Sequence, residues 1–136
     1  MELKAEPLLP GDAVSGACLA LTAPISFWGG VDPASGTIID ARHPERGRNI
    51  AGRILALPGT IGSSSASAVL LELVHARKAP AALLMDAPDA ILLLGLVVAR
   101  EMGWPTPPAF RLPAADQATL AGREITISKE GRITLA

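Results

Sequence analysis

The sequence predicts an α/β domain with a mixed sheet and short helices, and three observations carry that prediction. Short apolar runs bounded by Gly and Pro interleave, without strict alternation, with two stretches of helical periodicity. The tail, Glu124 to Leu135, reads as two alternating strands around a Gly-bearing turn. Thirteen Gly and twelve Pro require many turns and argue against a helical bundle.

Each element follows from local chemistry. Ala13 to Leu21 mixes small and apolar residues between Gly11-Asp12 and Pro24, which suits a first strand. An irregular stretch follows, from Ser26 through Gly36 and His43-Pro44 to Gly52, interrupted by Thr37-Ile38-Ile39. Loops of that length in small domains tend to carry function. Arg53 to Leu57 predicts a short strand ending at Pro58. Gly59 to Ser67 forms a glycine- and serine-bearing turn into a helix over Ala68 to His75, with Leu70, Leu73 and Val74 on one face. Ala81 to Met85 predicts a second buried strand between Pro80 and Asp86. A helix over Ile91 to Glu101 is stopped by Gly103, with Pro105 beyond.

Composition excludes several classes. The 136 residues fit one domain spanning 1–136. A net charge of −1 with pI about 6.1 leaves no basic stripe to exchange for phosphate counterions, so no nucleic-acid partner is expected. A mean hydropathy of +0.37 excludes disorder. Cys18 is the lone cysteine: it allows no internal disulfide and by itself holds neither a zinc nor an iron–sulfur cluster. Lying in a predicted strand, it reads as a small buried hydrophobe. The longest apolar run, Ala90 to Ala99, is ten residues, half of the ~20 a bilayer crossing needs, so no membrane partner is expected either. Met1 to Pro7 lacks the basic start and apolar core of a signal peptide, and a cytoplasmic location is expected. With no Tyr, two Phe and two Trp, the core must be built from Leu, Ile, Val and Ala.

Gly62-Ser63-Ser64-Ser65 at a helix start is the most informative local feature. Unpaired N–H groups and the positive end of the helix dipole converge there, which suits an anion or a developing alkoxide. A serine hydroxyl alone is a poor base and needs a helper. The alternative is structural: one serine caps the helix and the others are turn residues. Ser63 stands where a Walker loop has Lys, which argues against a nucleotide-phosphate loop. His43, before Pro44 in the long loop, is a candidate site residue, whereas His75 on the helix reads as surface or packing. Asp32, beside Pro33, and Asp40 lie near Gly29-Gly30 and Gly36, a context typical of turn formers, and these two acids with His43 match the spacing of no familiar metal set. Trp28 either plugs the loop onto the core or belongs to an interaction surface. The residues alone describe a domain with a serine loop and an aromatic-glycine loop, and no self-sufficient catalytic set.

The string Ser26-Phe27-Trp28-Gly29-Gly30-Val31-Asp32-Pro33, followed by Gly36, His43-Pro44, Gly47, Gly52, Pro58-Gly59 and Gly62-Ser63-Ser64-Ser65 with Ser67, resembles the small subunit of aconitase X. The resemblance runs from about Gly11 to Pro105, and the two motifs in this order are far more specific than either alone. It implies an aconitase-like swivelling β/β/α domain paired with a large subunit that supplies cysteines for an iron–sulfur cluster. This chain would then bind no cofactor, and the active site would be shared between chains.

The resemblance further implies a hydro-lyase acting on a small hydroxy acid. A proton leaves the carbon beside a carboxylate while the cluster, as a Lewis acid, takes the hydroxyl. By likeness to the serine loop of aconitase, Ser63 would be the base, with Gly62, Ser64 and Ser65 contacting substrate or holding the loop. Ser26, Trp28, Gly29, Gly30, Asp32 and His43 would belong to the site or to the subunit interface. Aconitase carries an arginine two positions after its serine base; Ser65 stands there in this chain, so the cation must come from elsewhere. Two activities belong to such assemblies: dehydration of cis-3-hydroxy-L-proline in bacteria and of phosphomevalonate in archaea. Ile61 replaces the Arg or Lys that many relatives carry before the Gly-Ser, and nine Arg against three Lys in an Ala-rich chain favours a bacterial source. Both favour the hydroxyproline reaction. A swivelling module that only binds and positions a partner is the non-enzymatic alternative.

Overall fold

The computed structural model describes residues 2–136. Its sheet has eight strands in the order β1-β8-β7-β3-β4-β5-β6-β2. These are β1 (Glu2–Lys4), β2 (Glu6–Leu9), β3 (Val14–Ala20), β4 (Ile54–Leu57), β5 (Ala82–Met85), β6 (Ala109–Arg111), β7 (Glu124–Ile127) and β8 (Arg132–Leu135). The helical elements are α1 (Phe27–Gly30), α2 (Ala66–His75), α3 (Ala90–Glu101) and α4 (Ala114–Leu120). Strands β3 to β6 run parallel; β7, β8, β1 and β2 are antiparallel to their neighbours. The mixed α/β class expected from the sequence is the one observed, with element bounds shifted by a residue or two.

The N-terminal segment has no counterpart in the sequence reading. β1 pairs with β8 and β2 pairs with β6, although only Ala5 separates them, so one short stretch touches both ends of the strand order. Ala5 is fully buried and its N–H donates to the Gly131 carbonyl at 2.7 Å. The sheet is thereby drawn round on itself, which leaves fewer unpaired strand edges. β6 and α4 were also unread. β6 is three residues long, and α4 starts after Pro113 with its Ala114 N–H donated to the Asp86 carboxylate at 2.9 Å, a cap from a distant segment.

Two apolar layers explain why β4 and β5 are buried at every position. Ile54, Ala56, Ala82 and Leu84 pack inward with Cys18, Phe110, Ile125, Ile127 and Ile133. Leu55, Leu57, Leu83 and Met85 face the opposite way, onto Leu70, Leu73, Leu92 and Leu96 of the helices. Parallel strands covered on both faces read as continuous apolar runs, as these do. The connection between β3 and β4 is long but ordered: Ile25, Phe27, Ile38 and Ile50 are buried in the helix-side layer. Bridges Val31↔Ile38 and Thr37↔Asn49 hold its shape.

Candidate active site at the serine loop

Because β3, β4 and β5 run parallel, the segments that leave them emerge at one edge of the sheet. These are Leu21 to Trp28, Pro58 to Ser65 and Asp86 to Asp89. The carboxyl edge of parallel strands is where α/β folds commonly bind ligands. Two segments are joined directly: Ile25 and Thr60 form a parallel bridge, and the Ile61 N–H donates to the Ile25 carbonyl at 3.0 Å.

The serine loop precedes the first turn of α2. Ser65 N–H donates to the Ser63 hydroxyl oxygen at 3.2 Å, and Ala66 N–H donates to the Ser63 carbonyl at 3.1 Å. Ser63 therefore closes the turn that leads into the helix, whereas Ser65, at the helix boundary, makes no side-chain capping bond. The Ser67 hydroxyl donates to the Ser64 carbonyl at 3.1 Å. Ser63 and Ser65 are half-buried and Ser64 is exposed. An N–H aimed at the Ser63 oxygen, beside the positive end of a helix, stabilises negative charge on that oxygen. The geometry of a cap is thus also a geometry that supports an alkoxide.

The aromatic-glycine loop divides its two aromatics. Phe27 is 1% exposed and plugs the core, whereas Trp28 is 61% exposed. Trp28 (φ −71°, ψ 115°) and Gly29 (φ 76°, ψ −11°) have type II turn angles, so α1 is a turn rather than a regular helix. Gly29 is required by that positive φ. The Ser26 hydroxyl donates to the Trp28 carbonyl at 3.1 Å and fixes the turn. Gly30 packs on Ile25, which a Cβ would approach to 3.2 Å, and its carbonyl accepts from Ile39 and Asp40.

Asp32 and His43 are used by the loop itself. Asp32 accepts from the Ser35 hydroxyl at 2.7 Å and the Ala34 N–H at 3.2 Å, and these bonds hold its carboxyl below the ordinary value. His43 is 6% exposed. Its Nε2 donates to the Ala23 carbonyl at 3.0 Å, and its Nδ1 accepts the Glu45 N–H at 3.1 Å. Glu45 in turn accepts from the Thr22 N–H and hydroxyl. His43 thus anchors the chain just ahead of Ile25, with both ring nitrogens engaged.

Sequence reasoning missed Thr60 and Asp89. The Thr60 hydroxyl donates to one Asp89 oxygen at 2.7 Å, while the other accepts from Ile91 and Leu92 at the start of α3. An Asp directly before an apolar helix is a cap signal, but its second contact is visible only in three dimensions.

The described residues do not fit a metal cluster. Cys18 is 2% exposed within the sheet's inner layer, and burial pushes its thiol up to about 11, so it is no thiolate at neutral pH. Among the described residues no group of three His, Cys, Asp or Glu is placed to hold a metal ion. A cleft of about 860 Å³ is lined by His75, Arg77 and Trp104 with the segments that enter β3, β5 and β6. It lies at the other edge of the sheet from Ser63.

Fold and site together define a mixed-sheet α/β domain that carries a serine-bearing helix start at the carboxyl edge of its parallel strands. A model of the aconitase X swivel domain matches residues 2–135, and the chain belongs to that family. A cis-3-hydroxy-L-proline dehydratase of Pseudomonas aeruginosa is 52% identical over 95 residues, 70% of this chain. A phosphomevalonate dehydratase small subunit of Methanothermobacter thermautotrophicus is 40% identical over 84 residues, 62% of this chain. The matched stretch spans 16% of the first relative's length and 64% of the second's. The crystal structure of Thermococcus kodakaraensis aconitase X in its holo form superposes with a TM-score of 0.86 at 28% identity, covering 100% of this chain and 98% of that one.

Proposed function

We propose that this chain, acting as one swivelling domain over residues 1–136, is the small subunit of a cytoplasmic two-subunit hydro-lyase that dehydrates cis-3-hydroxy-L-proline. The observation that carries the reading is Ser63, half-buried at the start of α2 with an N–H donated to its hydroxyl oxygen. In this reading Ser63 acts as alkoxide. It takes the proton from the carbon beside the carboxylate, and the released electron pair forms the new double bond as the hydroxyl departs. In this reading Gly62, Ser64 and Ser65 contact the substrate or hold the loop, with Ser64 exposed beside Ser63. The substrate and the iron–sulfur cluster meet Ser63 from a cysteine-bearing large subunit, since no group of three His, Cys, Asp or Glu among the described residues is placed to hold a metal.

Ile61 is 56% exposed at the entrance to the loop and presents no charge to a phosphate, which favours the hydroxy amino acid over phosphomevalonate. The non-catalytic reading rests on one observation of its own, that the Ser63 hydroxyl already serves the turn into α2.

The test is anaerobic turnover of both substrates by this chain combined with its large subunit, with Ser63→Ala in parallel. Loss of a true base lowers turnover by about 10²–10⁴-fold while the complex still forms. Near-normal turnover in Ser63→Ala would leave Ser63 a cap. Turnover of phosphomevalonate alone would replace the substrate.

A further inference from the structure

We propose that Asp89 is a positioning residue for Ser63 that acts through Thr60; this rests on reading the serine loop as the catalytic element. Asp89 divides its carboxylate between two tasks. One oxygen caps α3 by accepting the Ile91 and Leu92 N–H groups at 3.0 and 3.1 Å. The other accepts the Thr60 hydroxyl at 2.7 Å, close to the start of the serine loop.

The loop is also supported on its far side. Gly95, one turn further along α3, lies against Ser67 so closely that a Cβ would come within 2.4 Å of the Ser67 carbonyl oxygen. α3 therefore holds the loop before Gly62 by a hydrogen bond and after Ser65 by contact. Between these points Gly62 has no atom within 4 Å of where a Cβ would stand, so nothing packs against that side of the loop. The Thr60–Asp89 bond and the Ile25–Thr60 bridge set where the loop begins. A base must stand within hydrogen-bonding reach of the proton it takes, and a displacement of about 1 Å costs on the order of 10²-fold in rate.

The division of the carboxylate makes the tether separable from the cap. Thr60→Val removes the hydroxyl and leaves Asp89 on α3, whereas Thr60→Ser keeps the hydroxyl. Hydrogen–deuterium exchange on the full chain is read first. In Thr60→Val the Ser65 and Ala66 amides should exchange about tenfold faster, with Ile91 and Leu92 as protected as in wild type. In the complex with the large subunit, the same variant should lose about 10–100-fold in kcat, and Thr60→Ser should recover both readouts. Unchanged exchange at Ser65 and Ala66 would overturn the inference whatever the reaction. So would faster exchange with unaltered kcat and KM in a complex that Ser63→Ala inactivates. Full turnover by Ser63→Ala would instead overturn the catalytic reading of the loop, and the inference with it, even where the exchange data showed the tether intact.

Discussion

Gly95 of α3 lies against Ser67 of α2 with no room for a methyl group: a Cβ on Gly95 would stand 2.4 Å from the Ser67 carbonyl oxygen and 3.2 Å from its carbon. The obstacle is backbone, so it cannot rotate away. Alanine ordinarily stabilises a helix interior relative to glycine by up to about 1 kcal/mol. Gly95→Ala should do the reverse, because parting two packed helices costs about 1–3 kcal/mol. Urea unfolding would show a lower midpoint with an unchanged slope. A higher midpoint would mean that the helices part freely.

Gly131 closes the N-terminal strand onto β8. It has φ +94°, and a Cβ there would lie 2.1 Å from the Ala5 carbonyl oxygen. Gly47, at φ +89°, has nothing within 4 Å and serves as its control. Both Gly→Ala changes carry the left-handed backbone cost of about 1–2 kcal/mol. Gly131→Ala should cost clearly more, and exchange at the Ala5 amide should rise. Equal losses at the two sites would show that the closure contributes little.

Cys18 should resist alkylation at neutral pH while the chain is folded and react once it is unfolded, since burial raises its thiol to about 11. The sign of its effect on stability follows from linkage. The folded value lies above the unfolded one near 9, so the folded state retains a proton that the unfolded chain releases. Stability should fall as pH rises from about 9 to 11, and Cys18→Ala should flatten that slope. Rapid modification of the native protein at pH 7 would contradict this burial.

Asp32 runs the other way. The Ser35 hydroxyl, and then the Ala34 N–H, hold its carboxyl below the ordinary value of 3.8. Its contribution is complete above that value and disappears as pH falls through the lower folded one. An NMR titration should give Asp32 a midpoint below 3.8, and Ser35→Ala should move it upward. An unmoved midpoint in that variant would remove the Ser35 bond as the cause.

His43 anchors its loop through both ring nitrogens. His43→Ala leaves the half-buried Ala23 carbonyl and the Glu45 N–H without their partner, at about 1–3 kcal/mol. The expected outcome is a lower Tm with looser packing of Ile25 on Thr60. A loss of turnover at unchanged Tm would instead return His43 to the site.

Much of this fold was legible because its signals are local. Leu55 and Leu83 sit in unbroken apolar runs that only doubly covered strands need. Gly103 (φ +77°) ends α3 where a left-handed residue lets the Trp104 N–H reach back to Ala99. The serine loop announced itself through four consecutive small residues before a helix. Trp28 and Phe27 were not separable in this way, because adjacent aromatics in a turn go to opposite sides according to one dihedral pair.

The sequence by itself determined the class of fold, the helices α2 and α3, the central strands and the place of Ser63 at a helix start. Periodicity, Gly and Pro act over a few residues and need no distant partner. Only the tertiary structure decided that Glu2–Leu9 joins both ends of the sheet, that His43 reaches back to Ala23, and that Asp89 reaches Thr60. Those relationships pair residues far apart in the chain or turn on which way a side chain faces. Hydrogen bonds of that kind are set by how the layers pack, and packing leaves no periodic trace in the sequence.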